Sequence, residues 1–549
     1  MTRPAALSVL ALTLAAIAAA PPARAQALPA PPVPPENPIT EAKRVLGKAL
    51  FWDEQLSFDN TVACGTCHIP SAGGSDPRID LENRHPGLDG VYGTQDDRFA
   101  SAGVRRVDPH GAYQPDPTFG FARQVTPRRS PTMIGAAFFP ELFWDGRATG
   151  MFRDPLTNAV LIPSGGALED QALGPILSSV EMAGEGRTWA EVTAKLAAVR
   201  PLALATDLNP DLSGALAVDP TYPELFENAF GTPEITPARI AFALATYQRT
   251  LHPDQTPWDR YITGQTSALS AQQRTGLNQF MSASLRCAQC HTPPLFSDNT
   301  YRNLGLRDIA EDNGRQGVTG LYEDRGKFKT PTLRNVGLRP RFFHSGALEA
   351  PSLFNSVFFY NQGGGFFLDN KDPLLNNVSM SPGTASDITE FLRNGLTDPR
   401  VAAELPPFDR PTLRSELGPN SVLSGAALPG SGGVAPVILA AMPAVVGDSG
   451  FRIGVHGALG GALARLVVRT SAPGNPAPGT GPTPIAPSLY SGPILLSGIG
   501  AGAGFGTWQR GIPNVPALVG QRMWFQWLVQ DPAAARGFAR TQWAELTLR

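Results

Sequence analysis

Cys64-Gly65-Thr66-Cys67-His68 places two thiols three positions apart on one helical turn, with a histidine beside the second. This pattern suits covalent attachment of a c-type haem. Each thiol can form a thioether to a vinyl group, and the histidine then lies under the iron as its proximal ligand. The pattern returns at Cys287-Ala288-Gln289-Cys290-His291. The chain has 4 cysteines, so the two motifs leave none for a structural disulfide or an all-cysteine zinc site. A single Cys-x-x-Cys is compatible with a redox dithiol or half a zinc site. Two copies, each with a trailing histidine, point instead to two covalent haems, with His68 and His291 as ligands.

Such motifs need helices to hold them. Ala42, Val45, Leu46, Ala49 and Leu50 recur at helical spacing and predict an amphipathic helix ending near Phe51. Ser270 and Gln273 form a capping box ahead of a second helix. There, Gly276-Leu277-Asn278-Gln279-Phe280 echoes Gly47-Lys48-Ala49-Leu50-Phe51. A helix followed by a haem motif, twice, is an internal repeat. The expected fold is mainly α: two tandem cytochrome-c-like helical haem domains with long loops, over 39–265 and 266–400, followed by a small β-sandwich-like domain. Residues 401–433 read as a Pro/Gly/Ser-rich linker. From 434 to 549, short β-type runs at 451–455, 463–470 and 523–529 are separated by Gly and Pro clusters. This last part has no cysteine and only His456, so no cofactor is expected there, and Trp524 and Trp527 read as core.

Length and composition agree with this division. A chain of 549 residues has room for about three domains of roughly 100–200 residues. The formal net charge of −2, with both signs scattered, offers no footprint for nucleic acid or an anionic membrane surface. The 57 glycines and 54 prolines predict long loops wrapped around the cofactors. Residues 79–129 read as a polar insertion. Its stretch from Asp89 to Asp97 has the clustered Asp and Gly that can bind calcium. The spacing is not that of an EF-hand, and a solvated loop is the preferred reading. At the N-terminus, Arg3, an apolar run over 5–20 and Ala23-Arg24-Ala25 predict a cleaved signal peptide over 1–25 and a periplasmic protein. The apolar run is too short and alanine-rich for a membrane span, with a retained anchor as the alternative, and no other span is seen. A Pro-rich linker over 26–38 follows.

Further motifs accompany the haem sites. They include Arg129-Ser130-Pro131-Thr132, Phe143-Trp144-Asp145-Gly146-Arg147, and Gln171 with Pro175 and Val180-Glu181-Met182. In the second half stand Trp258-Asp259-Arg260-Tyr261, Phe328-Lys329-Thr330-Pro331-Thr332-Leu333-Arg334-Asn335 and His344-Ser345-Gly346. In this order, over about 40 to 400, the chain resembles the bacterial di-haem cytochrome c peroxidase family, which includes MauG-type enzymes. The resemblance implies that peroxide reacts at the N-terminal haem, that the C-terminal haem stores or relays electrons, and that a tryptophan lies between them. It places Trp144 in the bridging role and Glu181 as the distal acid-base residue, with Gln171 and Pro175 at other distal positions. Taken alone, Trp144 reads as a core aromatic and Glu181 as a surface helix residue. A positioned carboxylate that moves a proton from the inner to the outer peroxide oxygen contributes roughly 10²–10⁴-fold.

The chain departs from the family pattern in three places. Other members carry a removable histidine shortly before the Arg-x-Ser-Pro-Thr stretch. Here Phe121 stands at that place and the nearest histidine is His110. The first haem is therefore expected to be five-coordinate and open, with a looped-back His110 as the alternative. The sixth ligand of the second haem, a methionine in many members, aligns with Tyr360, as in MauG-type enzymes; Met380 is the rival. Arg129 replaces the asparagine that serves an interdomain calcium, and Arg339 and Arg341 stand near the matching carbonyl positions. Calcium is therefore not expected there, and a guanidinium is expected to supply the positive charge.

The resulting expectation is a peroxide-dependent oxidase of MauG type. It would oxidise a donor, a protein side chain included, via high-valent haem and a Trp144 relay. The alternative is a peroxidase that reduces hydrogen peroxide with electrons from a small redox protein. Glu181 and an open first haem count against a pure electron carrier. Glu181 also counts against an oxygenase of the rubber-cleaving type.

Overall fold

The computed structural model describes residues 27–346, 350–361, 363–473 and 488–549. The leader expected over 1–25 lies outside them. Among the described residues, no helix is long and apolar enough to cross a membrane.

Two glycines show how each haem motif is held. Helix Glu41–Trp52 starts at Thr40, whose hydroxyl accepts from the Lys43 N–H, and it crosses helix Pro237–Thr250. At the crossing, a Cβ on Gly47 would lie 1.9 Å from the Ala243 carbonyl oxygen, so only glycine fits. In the second half, helix Ala271–Phe280 opens with the reciprocal Ser270–Gln273 capping box and crosses helix Pro382–Glu390. A Cβ on Gly276 would lie 2.0 Å from the Asp387 carbonyl oxygen. The same close crossing thus sits ahead of each Cys-x-x-Cys-His.

Each crossing has its own core. Leu46, Leu50, Trp52, Ile240, Leu244 and Tyr247 bury together in the first half, and the Trp52 indole N–H donates to the Tyr247 hydroxyl at 3.0 Å. Trp258, Phe280, Phe296, Phe391 and Leu396 form the core of the second. Fully burying one such side chain contributes about 1.5–3 kcal/mol. Charges inside these cores are paired: Arg249 with Glu169 at 2.7 Å, and Arg334 with both oxygens of Asp259 at 2.8 Å.

The expectation of a mainly α architecture is only loosely met. The chain is 31% helix and 18% strand, with several small sheets. Glycine and proline break the connections into short ladders such as Ala102–Arg105 with Arg123–Val125. Residues 401–433 are also not a free linker. Phe408 and Leu413 are buried in the first core, Thr206 and Thr412 form a bridge, and Lys48 pairs with Asp409 at 2.8 Å. Strand Ser421–Ser424 joins the C-terminal sheet beside Trp543–Thr547, so the β region begins before 434. The Pro-rich stretch before the first helix is likewise packed: Asn37 is buried and donates to Glu169 at 2.8 Å.

Among the described residues, the β region holds a three-stranded antiparallel sheet of Val437–Leu439, Arg452–Gly460 and Gly500–Gln509, and a seven-stranded sheet centred on Leu463–Arg469 and Arg522–Gln530. Ile453 and Val455 of one sheet bury against Leu466, Phe525 and Trp527 of the other. This unit rests on the first haem half. Arg452 donates to the Gly111 carbonyl at 2.7 Å and lies over the Phe58 ring, the Tyr113 N–H donates to Thr507 at 2.9 Å, and His456 stacks on Phe121 with centroids 4.7 Å apart.

Candidate active site

Each haem-motif histidine is held in the same way. Cys64–Cys67 forms a single helical turn packed on Trp52 so closely that a Cβ on Gly65 would lie 2.2 Å from the indole. The His68 Nδ1 meets the Gly74 carbonyl at 3.0 Å, and the His291 Nδ1 meets the Phe296 carbonyl at 3.0 Å. An Nδ1–H that donates to a carbonyl fixes the tautomer and leaves Nε2 as the basic nitrogen, which is what an axial ligand requires. Burial lowers both imidazole pKa values, which favours the neutral ring an iron ligand needs. The supporting bonds are duplicated as well. Thr132 donates to the Gly73 carbonyl and Thr332 to that of Leu295; Ser75 donates to the Ser130 carbonyl and Ser297 to that of Thr330.

Burial sets these thiols against the thiolate form that a redox dithiol uses. Reactive Cys-x-x-Cys pairs have a lowered pKa. Here burial pushes Cys64 and Cys67 up to about 12, and Cys287 and Cys290 up to about 11. Cys64, Cys67 and His68 line one cavity of about 940 Å³, and Cys287, Cys290 and His291 line a second. A covalent haem fits both donor sets.

The first cavity also receives Gln171, Pro175 and Glu181. Gln171 and Pro175 lie on helix Ala167–Leu177. Pro175 has no N–H to return to the Gln171 carbonyl, which weakens the helix near its end. The next turn carries Glu181, whose N–H donates to the Ser178 carbonyl at 3.1 Å. Burial raises the Glu181 carboxyl above its ordinary value, against the opposing pull of Ser178 and Arg147. Behind this turn stands the hairpin of the 79–129 insertion. A Cβ on Gly103 would lie 2.0 Å from the Val180 carbonyl oxygen, and the Gln124 amide donates to the Ser179 carbonyl at 2.8 Å. The insertion therefore backs the Glu181 turn, a role its polar sequence does not signal. His110 sits in an exposed turn beside Asp108 and does not line the cavity, where His68 is the one histidine among the described residues. In the Asp89–Asp97 stretch the carboxylates are engaged by the chain itself: Asp96 accepts from the Leu88 N–H and from Thr94, and Asp97 pairs with Arg84.

Trp144 lines both cavities. It is 7% exposed, and its indole N–H donates to the Arg129 carbonyl at 2.8 Å. Its loop is held by Arg128, which bridges Asp145 and Asp312 at 2.6 Å each. Two residues on this wall belong to motifs but drew no role from the sequence. Lys329 lines both cavities, and burial pushes its amine down to about 7. His344 stacks on Phe328 at 3.6 Å, packs edge-on against Trp144 at 6.3 Å, and is pushed down to about 3 by burial.

Tyr360 and Met380 both line the second cavity. Tyr360 follows helix Leu353–Phe358, and burial raises its phenol well above the ordinary range. The Met380 N–H donates to the side chain of Asn361, the residue after Tyr360, at 2.9 Å.

Comparison with known proteins adds a lineage to this geometry. Residues 41–267 match the profile of the di-haem cytochrome c peroxidase family. The methylamine utilization protein MauG of Methylorubrum extorquens is 31% identical over 385 residues, covering 68% of this chain and 84% of that protein. Cytochrome-c peroxidase IdrP1 of Denitromonas iodatirespirans is 30% identical over 453 residues, covering 75% of this chain and 96% of its own. In fold, the chain is similar to a MauG-like protein associated with microbial copper homeostasis, with a TM-score of 0.50 at 23% identity over 71% of this chain and 98% of that one.

Proposed function

This chain belongs to the di-haem cytochrome c peroxidase family that includes MauG, and on that premise we propose that it is a MauG-like, periplasmic, peroxide-dependent oxidase of a donor, with a protein as one donor class. Membership makes it a haem oxidoreductase with two c-type haems. The haems, when bound, supply peroxide reduction and single-electron transfer. The chain supplies attachment through Cys64, Cys67, Cys287 and Cys290, proximal ligation through His68 and His291, and control of protons and electron routes.

Glu181 is the proton carrier in this reading. Its carboxylate accepts a proton from peroxide and returns it to the outer oxygen, and its raised pKa brings it nearer the working pH. Gln171 and Pro175 shape the approach to it. Trp144, common to both cavities, is the electron route.

The observation that carries the MauG-like choice is Tyr360 on the wall of the second cavity, together with a first cavity whose lining offers no second histidine among the described residues. A phenolate favours ferric iron and suits a haem that gives up electrons rather than one that draws them from a high-potential carrier. Met380 in the same wall supports the second reading, a cytochrome c peroxidase fed by a small redox protein. Electron paramagnetic resonance of the oxidised holoprotein tests the choice. The expected spectrum has a high-spin His68 haem and a low-spin His291 haem with an oxygen donor. Histidine–methionine ligation at the second iron would transfer the assignment to the peroxidase.

A further inference from the structure

Among the described residues, three guanidiniums that line the cavities have no anionic hydrogen-bond partner. Arg129 is 2% exposed and lines both cavities; Arg339 and Arg341, half-buried, line the second. The Nε of each is buried without a hydrogen-bond partner. The contacts they do make are with neutral groups. Arg129 donates to the carbonyls of Asp76 and Phe99, Arg339 to that of Thr332 at 3.4 Å, and Arg341 lies over the Phe99 ring at 4.1 Å. Asp76, whose field reaches Arg129, is already engaged by Arg78 at 2.7 Å. Among the described residues, the charge that acts on Arg339 is the like charge of Arg129, and burial pushes both down to about 10. Desolvating a cation costs several kcal/mol unless a counter-ion and hydrogen bonds offset it. Three such groups on the cavity linings are suited to receive anions that enter with the cavities' occupants. Each c-type haem brings two carboxylates, and a guanidinium receives a carboxylate through two parallel N–H donors.

We infer that Arg129, Arg339 and Arg341 form a receptor for the haem carboxylates at the wall between the two sites, with Arg129 shared by both haems and Arg339 and Arg341 serving the haem of His291. This rests on both cavities being loaded with haem, and not on the choice between oxidase and peroxidase. A cation beside the haem carboxylates raises the haem's potential, because it disfavours the extra positive charge of ferric iron.

The test uses holoprotein whose two haems have been counted by intact mass. Fewer than two haems in the wild type defeats the loading itself and is thereby distinguished from failure of the receptor. Spectroelectrochemical titration of Arg129→Gln should lower both haem potentials. Arg339→Gln and Arg341→Gln should lower that of the His291 haem and leave the His68 haem in place. Arg129→Lys, which keeps the charge, should recover most of the loss. Unmoved potentials in the glutamine variants would overturn the inference. So would a tightly bound divalent cation whose chelation produces the same shift in the wild type. Should Arg129→Gln fail to load haem, the half-buried Arg339 and Arg341 variants decide the matter.

Discussion

The main-chain N–H of Lys329 donates to the carbonyl of Trp144 at 2.7 Å. Its counterpart is the N–H of Arg129, which donates to the carbonyl of His344 at 2.8 Å. The pairs are equivalent in the repeat: Arg129-Ser130-Pro131-Thr132 matches Lys329-Thr330-Pro331-Thr332, and Phe143-Trp144-Asp145-Gly146 matches Phe343-His344-Ser345-Gly346. The backbones agree, with positive φ at Phe143, Gly146, Phe343 and Gly346. Each half thus hydrogen-bonds the other's aromatic loop, which places Trp144 and His344 face to edge between the cavities.

From this placement, Trp144→Phe should separate the two halves of the reaction. Phenylalanine keeps most of the apolar volume but is harder to oxidise, and it leaves the Arg129 carbonyl without its 2.8 Å donor. The lost hydrogen bond costs stability on the order of 1 kcal/mol. Stopped-flow spectra should show peroxide still consumed at the first haem while steady-state donor oxidation is lost. Normal donor turnover would mean that electrons bypass Trp144.

Glu181→Gln should slow the peroxide reaction by at least roughly a hundredfold with both haem spectra nearly normal. The pH profile gives an independent reading. The working form is the carboxylate, and burial raises its pKa above the ordinary 4.5. The rate should therefore fall as pH drops through that raised value and be constant above it. Glu181→Gln should abolish this dependence. An unchanged rate, or a profile that survives the substitution, would assign the proton to another group.

Gly47→Ala and Gly276→Ala test the two helix crossings separately. Each new methyl meets backbone, at 1.9 Å and 2.0 Å, and backbone cannot rotate aside. Overpacking of this kind costs about 1–3 kcal/mol. For domains of this size each kcal/mol lowers Tm by roughly 2–4 °C. Differential scanning calorimetry should show the loss in both variants. Wild-type stability in either would mean that its helices can separate without cost.

What the sequence makes legible is local. Cys-x-x-Cys-His is a contiguous motif, the Ser270–Gln273 box spans one turn, and the family motifs carry their own order. The long-range pairings are not legible. Nothing in residues 401–433 says that Phe408 will enter the first core or that Ser421–Ser424 will pair with a strand more than a hundred residues on. Nothing in the polar insertion says that Gly103 will press on the Glu181 turn. The sequence sets Arg129, Arg339 and Arg341 near one another only through the family's calcium positions; that all three line the second cavity, and Arg129 the first as well, depends on the fold. Lys329 and His344 are visible as motif letters, but their placement beside Trp144 depends on the two halves packing together.

Tyr360 carries the last prediction. Burial holds its phenol protonated when no metal is near, since the charged form is poorly solvated beside the haem-motif cysteines. A bound ferric ion reverses that preference, as metal ions do for coordinated water and thiols. In the holoprotein Tyr360 should therefore ligate as phenolate, and the oxygen donor should set a low potential at the second haem. Tyr360→Phe should remove that ligand and change the low-spin signal of the His291 haem, leaving the His68 haem as it was. Tyr360→Met should restore a low-spin signal with thioether character and raise the potential. It should also let a high-potential redox protein reduce the second haem, moving the enzyme toward ordinary peroxidase turnover. If Tyr360→Phe leaves the second haem's signal untouched while Met380→Leu abolishes it, the ligand is Met380. The cytochrome c peroxidase reading would then replace the MauG-like one.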